Sequence, residues 1–81
     1  MKYIATFFSH FGAIRFEKNC RNGNVPAKLM PVPRTLSSSC GTCVSYECDD
    51  YSLRSSISDE VEQIVEVVEN GYRECYRAEN I

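Results

Sequence analysis

Along the first eight residues apolar side chains fill both alternating sets, with Tyr3, Ala5 and Phe7 on one side and Ile4, Thr6 and Phe8 on the other. A strand that is apolar on both faces belongs at the centre of a sheet, and residues 2–8 are predicted to be such a strand. Ser9 is a good N-cap for a helix over 10–21, where Phe11, Ala13, Ile14, Phe16 and Cys20 supply one broad apolar side. Asn22-Gly23 ends that helix, with Gly23 as the expected left-handed cap. Residues 25–30 read as a second strand, and Pro26 and Pro31 at its ends place it at an edge. Residues 42–48 alternate as a third strand, with Val44, Tyr46 and Cys48 on one face and Cys43, Ser45 and Glu47 on the other.

Beyond a polar connection over 49–56, the spacing changes. Val61, Ile64, Val65 and Val68 fall at i, i+3, i+4 and i+7, which predicts a second helix over about 59–70. Ser58 would cap it, and Asp59 and Glu60 would sit in its positive first turn. Asn70-Gly71 would stop it, and residues 72–77 would finish as an edge strand. The order β-α-β-β-α-β predicts an α+β fold, the ferredoxin-like sandwich: a four-stranded antiparallel sheet with two helices on one face. Tyr3, Phe7, Tyr46, Tyr72 and Tyr76 then offer more aromatic area than one small core hides. A homodimer through the open sheet face would cover the excess.

Eighty-one residues make one domain, residues 1–81, near the lower end of what folds without staples. The 43% hydrophobic and 25% charged composition is that of a globular chain. The charge is split: residues 1–48 carry six Lys/Arg against Glu17 and Glu47, whereas residues 49–81 carry three Arg against nine acids. No basic cluster interleaved with exposed aromatics can be assembled from the first group, so no nucleic-acid partner is expected. No apolar run is long enough for a membrane span. The N-terminal residues read as a strand and not as a signal peptide. Five cysteines is an odd number, unlike a secreted disulfide framework, and a reducing cytoplasm is the expected location.

Chemistry concentrates in the stretch from Pro31 to Cys43. Two prolines interrupt strand pairing, and Ser37, Ser38, Ser39 and Gly41 suit a loop whose amides and hydroxyls turn inward. Cys40 and Cys43 follow as a Cys-x-x-Cys. Three uses are open for these thiols. Cys40 could act as a nucleophile, with Arg34 supplying positive charge, Ser39, Gly41 and Thr42 lining the sulfur, and Cys43 resolving the adduct. The same pair could be a thiol–disulfide redox or sensing switch, although no helix starts at Cys40 to lower its pKa. Cys40, Cys43 and Cys48 could hold a metal with His10 or Cys75, but alternation puts Cys43 and Cys48 on opposite strand faces. An interaction module with structural cysteines is the bland fourth reading, and buried-hydrophobe roles are the default for Cys20, Cys48 and Cys75. No phosphate loop, nucleophile elbow or second Cys-x-x-Cys is present, so no cofactor and no metal is assigned, and a carrier or binding domain is expected in place of an enzyme.

The strand, the helix SHFGAIRFEKNC, the segment GNVPAKLMPVPR and the motif SSSCG together resemble the small bacterial domain family of selenium/sulfur carrier-like proteins, over residues 2–77. Pro31, Pro33, Arg34, Cys40 and Gly41 match its Pro-x-Pro-Arg and Cys-Gly, and Ala13 and Glu17 also fit. Cys43 departs from the pattern, which has an apolar residue there, so only Cys40 inherits a role from the resemblance. The resemblance implies a carrier that cycles between a protein donor of the cysteine desulfurase kind and an acceptor enzyme.

Overall fold

Lys2–Phe7 forms β1, and its doubly apolar pattern has the expected consequence: Tyr3 through Phe7 are all buried, with Ala5 and Phe7 fully so. The computed structural model describes residues 1–36, 38–51 and 59–78. After β1 come α1 (His10–Asn22), β2 (Ala27–Pro31), β3 (Thr42–Glu47), β4 (Val61–Val68) and β5 (Gly71–Arg77). The strands form one sheet in the order β2-β3-β1-β4-β5, and every neighbouring pair is antiparallel. β1 is central, and the proline-bounded β2 is an edge.

The expected four-stranded sheet with two helices is therefore corrected to a five-stranded sheet with, among the described residues, one helix. The segment predicted as the second helix is β4, and Ser58, its supposed cap, lies outside the described residues. Two physical effects explain the misreading. Five of the eight β4 residues are Val or Ile, whose branched side chains lose χ1 freedom in a helix and pack well on a pleated surface. The helical spacing itself comes from a bulge: Phe7 pairs with Val61 and Thr6 with Gln63, leaving Glu62 as the extra residue on β4. That insertion shifts the alternation, so Val61 and Ile64 both face the helix side while Val65 faces away. Residues 69 and 70 form the tight turn into β5, and Gly71 has φ of 144°. The stop signal was real but ended a strand.

α1 starts as predicted, with the Ser9 hydroxyl accepting from the Gly12 N–H at 3.2 Å. Its end differs in detail. Gly23 is not left-handed; Asn24 takes that conformation (φ 61°), and Val25 N–H returns to Cys20 O at 2.8 Å. The buried side of α1 is Gly12, Ala13, Phe16 and Cys20, whereas Phe11, at 74% exposure, and Ile14 point outward. Gly12 is required by contact: a Cβ there would stand 2.8 Å from Glu60 Cβ and 3.4 Å from the Phe7 ring.

The sheet has two unequal apolar faces. On the helix side Phe7, Phe16, Tyr46 and Tyr3 pack ring on ring, with centroids 5.2, 5.1 and 5.5 Å apart in succession. Such pairs contribute about 0.5–1.5 kcal/mol each beyond the area they bury. On the other side Ile4, Cys43 and Val65 form a smaller cluster, flanked by Met30, Val32, Leu36 and Tyr72. Among the described residues no helix is long and apolar enough to cross a membrane.

Candidate functional site

The segment joining β2 to β3 begins as a continuation of the hairpin, with Val32 N–H donating to Gly41 O at 3.1 Å. Pro33 then fixes a tight turn closed by Leu36 N–H on Pro33 O at 3.0 Å. The turn drops Val32 and Leu36 onto the smaller core and leaves Arg34 exposed. The second half of the loop crosses to the end of β1. Ser38 Oγ donates to Phe7 O at 3.3 Å and accepts from the Cys40 N–H at 3.4 Å. Ser39 is gripped by the bulge residue of β4: its N–H meets one Glu62 carboxylate oxygen at 3.1 Å and its hydroxyl the other at 2.9 Å. Bulges re-aim side chains in this way.

Cys40 follows, half-buried against the helix-side core, its thiol donating to Thr42 O at 3.3 Å. Gly41 has φ of 74° with open space around the position a Cβ would take, so glycine is favoured here by backbone conformation and not by crowding. Across the loop, His10 at the start of α1 places Nδ1 3.1 Å from Thr42 Oγ1. Folding thus brings His10 to the Cys40–Thr42 segment, from the far end of a 32-residue separation. Of the residues singled out from sequence, Ser39, Cys40, Gly41 and Thr42 are gathered at one place. Arg34 stands at the opposite end of the loop, where its guanidinium bonds no described residue.

Cys43, three residues on, belongs to the other face. It is fully buried beside Ile4 and Val65, its thiol turned toward Pro31 O at 3.7 Å. Burial, with a smaller push from Cys40, raises that thiol to about 11. The Cys-x-x-Cys pair therefore straddles the sheet: one sulfur packs on the helix side and the other beneath Val32 and Leu36. Cys20 is raised to about 11 by burial first, then by Cys48 and Glu17. Cys48 and Cys75 are also pushed up by burial, and Cys48 Sγ donates to Asp50 O at 2.9 Å. All five cysteines are unpaired. Among the described residues no three His, Cys, Asp or Glu side chains converge as a metal site would.

Glu62 is the participant that sequence reasoning missed. Glu62 falls inside the segment whose spacing predicts a helix, and a bulge leaves no local sequence mark. Ser38 was named only as one of the loop's inward-turning serines, and its particular partners, Phe7 O and the Cys40 N–H, come from the fold.

Neither a curated protein nor a solved structure matches this chain. A family described as "Putative Se/S carrier protein-like" matches residues 2–77, a span that includes β1, the helix, the Cys40 loop and the Glu62 bulge. The chain belongs to that Se/S carrier protein-like family.

Proposed function

We propose that the chain carries sulfur or selenium as an adduct of the Cys40 thiol. The observation that supports this most is the placement of Cys40: half-buried on a loop tied to β1 and β4, at a left-handed glycine, whereas Cys20 and Cys43 are fully buried. A fully buried thiol offers no approach to an incoming donor, and reactive cysteines are at least partly exposed.

In loading, Cys40 sulfur attacks the outer sulfur of a donor persulfide. The new S–S bond forms as the donor's S–S bond breaks, and the donor leaves as a thiolate that takes up the Cys40 proton. The products are a Cys40 persulfide and a donor thiol, with no net oxidation. A selenium-bearing donor exchanges in the same way. Unloading is the same displacement by an acceptor thiol on the outer atom, which restores Cys40. Cys43 has no part in this reading, because its thiol is buried and held protonated on the opposite face. The atom therefore leaves by transfer to an acceptor, not by formation of a Cys40–Cys43 disulfide. Arg34, exposed on the same loop, is available to a docking donor or acceptor protein. Five unpaired cysteines suit a reducing compartment such as the cytoplasm.

The test is peptide mass spectrometry of anaerobically purified protein, before and after exposure to a cysteine desulfurase and free cysteine. One extra sulfur on the Cys40 peptide is expected, lost in Cys40→Ser and kept in Cys43→Ser. No adduct on a free, folded Cys40 would overturn the proposal.

A further inference from the structure

We infer that Glu62 is a positioning residue for Cys40, acting through Ser39. The inference deepens the carrier reading and rests on it. The residue immediately before Cys40 is held by both oxygens of one carboxylate, at 3.1 Å to the Ser39 N–H and 2.9 Å to its hydroxyl. Two bonds in parallel fix an orientation as well as a distance. Glu62 reaches the loop because it is the β4 bulge residue left without a partner on β1, opposite the Thr6–Phe7 end of that strand. Ser38 binds Phe7 O at that same strand end and caps the Cys40 N–H. On the far side, Thr42 is the first residue of β3 and meets His10. Cys40 and Gly41 are thus a short span between two anchored points, and Gly41 supplies the left-handed backbone that closes it.

The physical role follows from the reaction. In-line displacement at sulfur needs the attacking atom, the outer sulfur and the leaving sulfur in one line, and a partner protein can present its persulfide in only a few orientations. Holding the attacking thiol in one place removes orientational freedom before the encounter. A diffusible reagent can approach from many directions and gains little from the same restraint. Loosening the clamp should therefore slow transfer from a protein donor while speeding attack on a small electrophile.

The experiment compares Glu62→Ala, Glu62→Gln and Ser39→Ala with the unaltered protein. Each is read by transfer from a loaded desulfurase, by iodoacetamide labelling of Cys40, and by a thermal melt. Glu62→Ala is expected to lower transfer about tenfold and raise labelling about threefold, with the fold intact because Glu62 is only half-buried. Glu62→Gln should rescue both rates, since its carbonyl still accepts from the Ser39 N–H and its amide donates to the hydroxyl. Ser39→Ala keeps the backbone bond and should fall between them, and combining it with Glu62→Ala should add little. Unchanged labelling and transfer in Glu62→Ala, or a Gln variant as impaired as Ala, would overturn the positioning role. If the unaltered protein loads no sulfur, the carrier reading fails, yet the labelling series still decides the clamp.

Discussion

The two faces of the sheet do different work. The helix side buries the aromatic stack of Phe7, Phe16, Tyr46 and Tyr3 and carries Cys40 at its rim. Among the described residues the opposite side carries no helix, and its buried apolar cluster is Ile4, Cys43 and Val65 under the edge of a loop. One strand feeds both, so residues adjacent in sequence meet different environments. That difference teaches how a Cys-x-x-Cys can hold two thiols in unlike surroundings: spacing along a strand entrance puts one sulfur at the surface of one core and the next inside another.

The comparison is broken most directly by truncating each core in turn. Phe7→Ala should cost about 3–5 kcal/mol of folding stability, whereas Val65→Ala should cost about 1–3 kcal/mol, both read by denaturant unfolding. Equal losses would mean that the helix-free face contributes as much as the aromatic one.

A second contrast uses pH, since each face has one thiol that is fully buried, Cys20 on the helix side and Cys43 on the other. Burial pushes Cys20 and Cys43 up from the ordinary thiol value of 9.0 to about 11 in the folded chain. Between those values the folded state binds more protons than the unfolded one, so stability is intact below pH 9 and falls as pH rises toward 11. Each thiol accounts for a loss on the order of 2 kcal/mol across that window. Cys20→Ala and Cys43→Ala should each flatten the decline by a comparable amount, measured as unfolding free energy against pH. A decline unaltered in Cys43→Ala would show that its side of the sheet is wetter than its burial indicates.

The smallest effect concerns the seam where the helix meets the β4 end of the sheet. Gly12→Ala gains about 1 kcal/mol of helix propensity but forces a Cβ against Glu60, which costs about 1–3 kcal/mol. A net loss of about 1 kcal/mol in thermal unfolding is expected. Stabilisation would mean that the seam yields and that α1 is not pressed on residue 60.

The same division separates what was legible in the sequence from what was not. β1, α1 and β3 were readable because their signals are local: apolar residues on both faces of β1, the Ser9 cap, the alternation from Thr42 to Glu47. β2 was placed at an edge by its prolines. β4 was misread because a bulge at Glu62 gives a strand the spacing of a helix, while its five branched residues, which favour a strand, were outweighed by periodicity. The candidate loop could be located from Pro31, Cys40 and Gly41. Its anchoring could not, since Ser39 and Glu62 are 23 positions apart and meet only through the β1–β4 pairing.

That pairing has a consequence for synthesis. β1, α1, β2 and β3 are complete once residue 47 has been made, so most of the aromatic core can collapse before β4 exists. Glu62 arrives fifteen residues after β3 ends. A nascent chain released from the ribosome up to Glu47 therefore already displays Cys40, but in a loop with one of its two moorings missing, and the thiol reaches its final orientation only when the last hairpin docks beside the first strand.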